Sequence, residues 1–370
     1  MLPRLLSALL LGGAALVLLA FGWPQLFGLQ NSWVVAHAVS LRGLAVAVAV
    51  AGLVLLLLLA VIRPVRRLAV SLAVLLLLFG LGNTAVLATR GFGGEADASP
   101  ARPAASATGE VSAAVSAAVS ATVNAEVNTK VGGEVTVLSW NTLGDEPGSA
   151  VIARLAIDRG ADIVALPETT EAMGVKVADA MREAGRPMWV HTLAFDQISK
   201  ARSTTLLISP DLGDYTVSNS AGSGPPGNTT VLPTVVATPV DGTGPTIIAV
   251  HAVAPISREM ANWRSDLDWL AGQCSAENVI MAGDLNSTID HMSGREASSS
   301  AVLGRCRDSA LADGSAALGT WPTFLPPLLG SPIDHVLATP NWQTVSFSVI
   351  ESTDAAGSDH RPIVATLSPR

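Results

Sequence analysis

The chain has 370 residues, length enough for two or three structural units, with 49% hydrophobic and only 14% charged residues. Charge is divided by region: between Met1 and Gly94 stand six arginines with no lysine and no acidic residue, whereas residues 134–370 carry 14 basic against 26 acidic residues, a formal −12. This division excludes an ordinary soluble single domain. The acidic C-terminal part also argues against tight non-specific nucleic-acid binding, which requires a basic patch on the phosphates.

Three apolar runs open the chain: Leu5 to Phe21, Leu44 to Ile62 and Leu68 to Ala88. About 20 such residues cross the hydrocarbon core as a helix. No water pairs backbone groups there, so each run predicts a transmembrane helix. The first, preceded by Arg4, also fits a signal peptide. Arg63, Arg66 and Arg67 fill the short link between the second and third runs, which places that link in the cytoplasm and everything after Arg90 outside. Arg42 and Arg90 count against this orientation. The expectation is a multi-pass plasma-membrane protein anchored by residues 1–90, with bilayer lipid as its partner and an extracytoplasmic C-terminal domain; no protein partner is inferable.

Residues 91–133 are rich in Ala, Ser, Gly and Val, with a near-repeat from Val111 through Val115 to Val119. They predict a linker that lets the domain stand off the bilayer or fold back onto it. Cys274 and Cys306 are the only cysteines. An oxidising exterior favours a disulfide between them.

From residue 134 onward, short β-rich runs alternate with helical or loop segments. Val135–Trp140 stops at Asn141, Ile163–Leu166 leads through Pro167 to Glu168, Thr246–Val250 runs into His251, and Val279–Ala282 leads to Asp284 and Asn286. Two later runs reverse the order: Asp334 and His335 precede Val336–Thr339, and Asp359 and His360 precede Pro362–Thr366. In a mixed sheet, strands of opposite direction bring these ends to one edge. The expected site therefore joins Asn141, Glu168, His251, Asp284, Asn286, Asp334, Asp359 and His360.

These residue types suit hydrolysis of phosphate esters. Mg²⁺ takes carboxylate oxygens and substrate phosphate, with Mn²⁺ as the alternative; Glu168 is the expected ligand, supported by Asn141 and Asp359. His360 with Asp334 forms a proton-handling pair, Asp284 positions or deprotonates water, and Asn286 and His251 donate to phosphoryl oxygens. Arg202, Arg258, Arg264 and Arg361 could form a phosphate-binding patch. Trp321, in the run Trp321-Pro-Thr-Phe324-Leu-Pro-Pro327, is either an apolar wall for substrate or the cap of a rigid turn.

Trp140-Asn141, Asp162 to Glu168, His251, Gly283-Asp-Leu-Asn286, Ile333-Asp-His335 and Ser358-Asp-His360 stand in the order found in the endonuclease/exonuclease/phosphatase superfamily, the DNase I-like group. The resemblance covers nearly all of residues 134–370. It implies a four-layer α/β sandwich with two central mixed sheets and Mg²⁺-dependent attack of water on phosphorus. It also implies Glu168 as metal ligand, the His360–Asp334 pair acting on phosphate or water, and Asp284 with Asn286 completing the site. Pro167 stands where many members carry Gln. The arrangement of three spans before an exterior domain resembles actinobacterial membrane phosphatases linked to glycopeptide resistance, which implies a lipid phosphate substrate. A tethered nuclease and a catalytically inactive exterior binding module are the alternatives.

Overall fold

In the computed structural model, which describes residues 2–93, 133–195, 198–218 and 224–370, the three apolar runs are the helices α1 (Leu2–Gly22), α3 (Arg42–Leu59) and α4 (Arg66–Arg90). All three are long and apolar enough to cross a membrane. Between α1 and α3 lies a short helix the sequence reading passed over, α2 (Trp33–Ser40). Most of the expected linker, 94–132, lies outside the described residues.

The remainder builds two six-stranded sheets. The first has the order β11 (Trp342–Val349), β12 (Ile363–Pro369), β1 (Val135–Ser139), β2 (Ile163–Pro167), β4 (Ser203–Ile208), β3 (Trp189–Ala194). The second runs β5 (Tyr215–Val217), β6 (Val235–Pro239), β7 (Thr246–His251), β8 (Val279–Asp284), β10 (Asp334–Ala338), β9 (Arg307–Asp308). Both are mixed, since β1–β2 and β7–β8 pair parallel and their neighbours antiparallel.

Side chains on a strand alternate between faces, and the burial follows that period. Val135, Val137, Ile163 and Ala165 meet Ile247, Ala249, Ile280 and Ala282 in a core between the sheets. The intervening Leu138, Val164 and Leu166 face outward onto α5 (Gly148–Arg159) and α6 (Glu171–Glu183). On the second sheet, Ile248, Val250 and Met281 turn outward onto Trp263, Leu267 and Leu270 of α7 (Met260–Gln273). Helix, sheet, sheet and helix give the expected four layers.

Cys274, at the end of α7, is disulfide-bonded to Cys306. Closing a loop of this size constrains the unfolded chain by about 3–4 kcal/mol. Cys274→Ala is expected to lower stability by that order in non-reducing thermal unfolding, while the wild type converges on the variant under reducing conditions.

The C-terminal domain does not stand off from the apolar helices but docks onto them. Asp290, in the one-turn helix α8 (Ile289–Met292), is buried and accepts a bidentate bond from Arg42 (Nε and Nη2, both 2.8 Å). Arg90 Nη2 lies 2.8 Å from its Oδ2, and Gln25 Nε2 donates to its Oδ1 at 3.0 Å. His291 Nε2 bonds the Ala36 carbonyl of α2 at 3.0 Å. Backbone pairs continue the seam: Gly93 N donates to Gly314 O, and Ala316 N and Ala317 N donate to Arg90 O and Gly91 O. A Cβ on Gly43 would overlap the Leu328 carbonyl, so the glycine permits close approach there. Arg42 and Arg90 thus share one acidic partner of the docked domain. That removes them as votes on membrane orientation, and Arg63, Arg66 and Arg67 sit at the opposite ends of α3 and α4.

Candidate functional site

The expected convergence occurs at the rim where strand ends of both sheets meet. On the second sheet, His251 pairs in register with Asp284, and Asp284 pairs with Asp334 across the next strand. Asp334 and His335 belong to β10 itself rather than preceding it. Strand alternation then separates them. Asp334 faces the site, while His335 turns away and is held by Asp308 (Nδ1···Oδ2 2.6 Å) and the Ser287 carbonyl (2.9 Å). From the first sheet come Asn141 after β1, Glu168 after β2, and Asp359 and His360 ahead of β12.

Glu168 and Asn286 adopt positive φ angles of 55° and 45°, a region non-glycine residues seldom occupy. Each is over-determined by its neighbours. Thr142 Oγ1 donates to Glu168 O, while Asn286 N and Nδ2 donate to Asp284 Oδ1 (2.8 Å) and Ala252 O (2.9 Å). Such local strain clusters at functional sites. Gly283 explains itself similarly: its φ is 150°, and a Cβ would strike the backbone of Val250 on β7.

One continuous set of contacts links the cluster. His360 Nδ1 lies 2.8 Å from Asp334 Oδ2, its Nε2 lies 3.8 Å from Asp284 Oδ2, and Asp359 Oδ1 is 4.0 Å away. Asn141 Nδ2 donates to both Asp284 Oδ2 (3.0 Å) and Glu168 Oε1 (3.1 Å). His251 Nε2 is 3.7 Å from Glu168 Oε1. Trp321 Nε1 donates to Asp359 Oδ2 at 2.9 Å. Backbone anchors hold the ring in place: Trp140 Nε1 donates to His360 O, His360 N to Ser358 Oγ, and Asp334 N to Thr320 Oγ1. Thr320 escaped the sequence reading because a threonine in an irregular segment carries no periodic signal.

Burial sets the proton affinities. Desolvation alone would lower the His360 pKa, but the Asp334 and Asp284 carboxylates outweigh it and raise it, so the imidazolium is favoured. Asp284 is raised by burial and by the nearby Asp334 charge. His251 is pushed down to about 3 by burial and by His360, and stays neutral. Glu168 is raised by burial, against the lowering effect of its Asn141 bond. The result is a donor and an acceptor side by side, the pattern of acid and base assignment in hydrolytic sites.

Several oxygens are left for a cation or a substrate. Asp334 Oδ1 and Asp359 Oδ1 are buried without a partner, as is His251 Nδ1. The carboxylates of Glu168 and Asp359 fit a hard divalent ion, which prefers oxygen. Asn141 turns its amide nitrogen to Glu168, while its Oδ1 accepts from Leu143 N. Asp284, Asp334 and His360 also place three donor atoms within 4.8 Å of one another. His360 Nδ1 and Asp334 Oδ2 are already hydrogen-bonded to each other at 2.8 Å.

The four arginines form no common patch. Arg202 donates to the carbonyls of Thr230 and Val231 and lies over the Phe195 ring. Arg361 is buried, bonding three carbonyls and Asp354. Arg264 reaches the Asn31 carbonyl and Arg258 lies beside Glu259. Trp321, in contrast, is at the site and lines its cavity.

Among solved structures, the chain is similar to an endonuclease/exonuclease/phosphatase from Bacteroides vulgatus, at 16% identity over 64% of this chain and 99% of that one (TM-score 0.47). A protein of the same description from Beutenbergia cavernae DSM 12333 shares 18% identity over 64% and 72% (TM-score 0.44). Truncated Caenorhabditis elegans TDP2 shares 18% over 64% and 98% (TM-score 0.44). No curated protein matches the chain. The model of the Endonuclease/Exonuclease/phosphatase family matches residues 138–360, a span that begins in β1 and ends on His360. The chain therefore belongs to the endonuclease/exonuclease/phosphatase family.

Proposed function

We propose that this protein is a metal-dependent phosphohydrolase, anchored in the plasma membrane by α1, α3 and α4, that acts outside the cytoplasm on phosphate groups of membrane lipids. The observation that carries it is the His360–Asp334 pair beside Asp284 and Glu168, set at the seam where the domain docks onto the apolar helices. Residues 134–370 form the catalytic unit and 1–90 the anchor. Arg63, Arg66 and Arg67 in the short link between α3 and α4 support that sidedness, because cytoplasmic loops are enriched in basic residues.

Enzymes of this family use divalent metals, and Glu168 with Asp359 would hold one here. Such an ion neutralises charge on a phosphoryl oxygen as the nucleophile arrives. The chain's own groups then divide the work. Asp284, with its raised pKa, accepts a proton from water. Asn286 and Asn141 fix the orientation of Asp284. His360, kept protonated by Asp334, donates to a phosphoryl or leaving-group oxygen. His251, neutral and with an unpaired Nδ1, donates or accepts at the same group without adding charge.

The test is hydrolysis by the full chain in detergent micelles with added Mg²⁺ or Mn²⁺, on a prenyl pyrophosphate and on plasmid DNA. Phosphate release from the lipid is expected, abolished by EDTA and reduced at least 100-fold in Glu168→Ala. Efficient DNA cleavage with the lipid untouched would make the protein a tethered nuclease instead. Inactivity on both would return it to the class of binding modules.

A further inference from the structure

The helix α2 lies between α1 and α3 in sequence, at the end of the apolar helices that meets the domain. Its residues Ala36, His37 and Ser40 form one side of a cavity of about 250 Å³. Its lining also includes Pro255 and Ile256 of the domain, and Asn286, Trp321 and His360 of the site described above. The N-terminal segment is therefore structurally part of that site. We propose that α2 is a wall of the substrate pocket, and that the cavity holds the apolar segment adjoining the phosphate of a phosphorylated lipid. This rests on the phosphohydrolase reading.

Four observations converge on it. The wall is fixed rather than loosely apposed, because Ala36 is fully buried and its carbonyl takes the His291 bond. Arg42 and Arg90 lock the same face of the helices onto Asp290. Ser331, also lining the cavity, has a buried hydroxyl without a partner, which a ligand oxygen would satisfy. His37 commits Nδ1 to the Trp33 carbonyl at 2.8 Å, leaving Nε2 for a ligand.

Charge selects the occupant. A polyanionic nucleic acid requires accessible cations, yet Arg42 and Arg90 are buried on their shared partner Asp290, and Arg361 is buried on Asp354. A small water-soluble phosphate would gain nothing from Pro255, Ile256 and Ala36. An amphiphile gains about 0.8 kcal/mol for each methylene buried there. Its phosphate meets His360 and Asn286, while its chain continues toward the apolar helices.

The experiment uses the full chain in nanodiscs, with farnesyl pyrophosphate and inorganic pyrophosphate as paired substrates. Ser40→Phe fills the cavity from α2, and Ile256→Trp fills it from the domain, so a folding defect in one does not remove the other. Each is expected to raise KM for farnesyl pyrophosphate at least tenfold. The preference for it over inorganic pyrophosphate should fall by a similar factor. Unchanged KM, or parallel losses on both substrates, would overturn the assignment. Calorimetric binding of farnesyl thiodiphosphate separates this inference from the catalytic one. If the wild type hydrolyses neither substrate yet binds the thio analogue tenfold more tightly than both variants, the hydrolase reading falls and the cavity assignment stands. If the wild type fails to bind it, or all three bind equally, the cavity assignment falls.

Discussion

Replacing His360 with alanine is expected to lower kcat on any phosphate substrate by about 10²–10⁴-fold, the usual contribution of a positioned proton donor. The structure gives the reason in two contacts: Asp334 orients the ring through Nδ1, and Nε2 is presented toward Asp284 and Asp359. The Asp334→Asn variant provides the finer measurement. Asp334 raises the His360 pKa, so removing its charge lowers that pKa. If protonated His360 is the active form, the alkaline limb of kcat/KM must then move to lower pH than in the wild type. A limb that stays in place would assign the proton donor elsewhere. KM should change less than kcat in His360→Ala, because the lost interaction strengthens as charge develops in the transition state.

The second large effect is expected at Asp290, which lies close to Asp284 and Asn286 in sequence but bonds the N-terminal helices rather than the site. Asp290→Ala leaves two buried guanidinium groups, Arg42 and Arg90, without their counter-charge. Breaking a buried pair from one side costs about 3–5 kcal/mol, and for a domain of this size each kcal/mol moves the unfolding midpoint by about 2–4 °C. A fall of roughly 6–20 °C is therefore expected for the full chain in micelles. The pH dependence has a definite sign. Burial would raise the Asp290 pKa, but Arg42 and Arg90 outweigh it and hold the carboxyl below its ordinary range. A depressed folded-state pKa contributes stability that is fully present above the unfolded value of about 3.9 and is lost as pH falls below it. The stability difference between the wild type and Asp290→Asn should therefore be full at pH 7 and shrink progressively as pH falls below about 4 toward the folded-state pKa. Equal midpoints for wild type and Asp290→Ala at pH 7 would show that the docked seam contributes nothing.

The rim of the candidate site could be read from the sequence because its residues sit at or within a few positions of the ends of β-rich runs. Asn141, Glu168, His251 and Asp284 follow β-rich runs, so their position on an edge follows from local pattern alone. The same pattern could not separate Asp334 from His335, which are adjacent in sequence. Only the pairing of Asp334 with Asp284 decides that the aspartate faces the site and the histidine faces Asp308. Arg202 and Arg361 were offered as phosphate ligands on charge alone, and charge does not say which carbonyls a guanidinium reaches.

The sequence by itself determined the three apolar helices, the mixed-sheet class and the order of the site residues. Each of these follows from hydropathy, strand period or motif over a few consecutive positions. The tertiary structure alone decided that the domain packs against its own N-terminal segment. That seam joins residues more than 200 positions apart, such as Arg42 to Asp290 and Ala36 to His291. Local propensity does not encode contacts of that separation. They form only when two folded surfaces meet, and so the polar residues Arg42, Arg90 and Asp290 gain their meaning from the complementary charge brought opposite them.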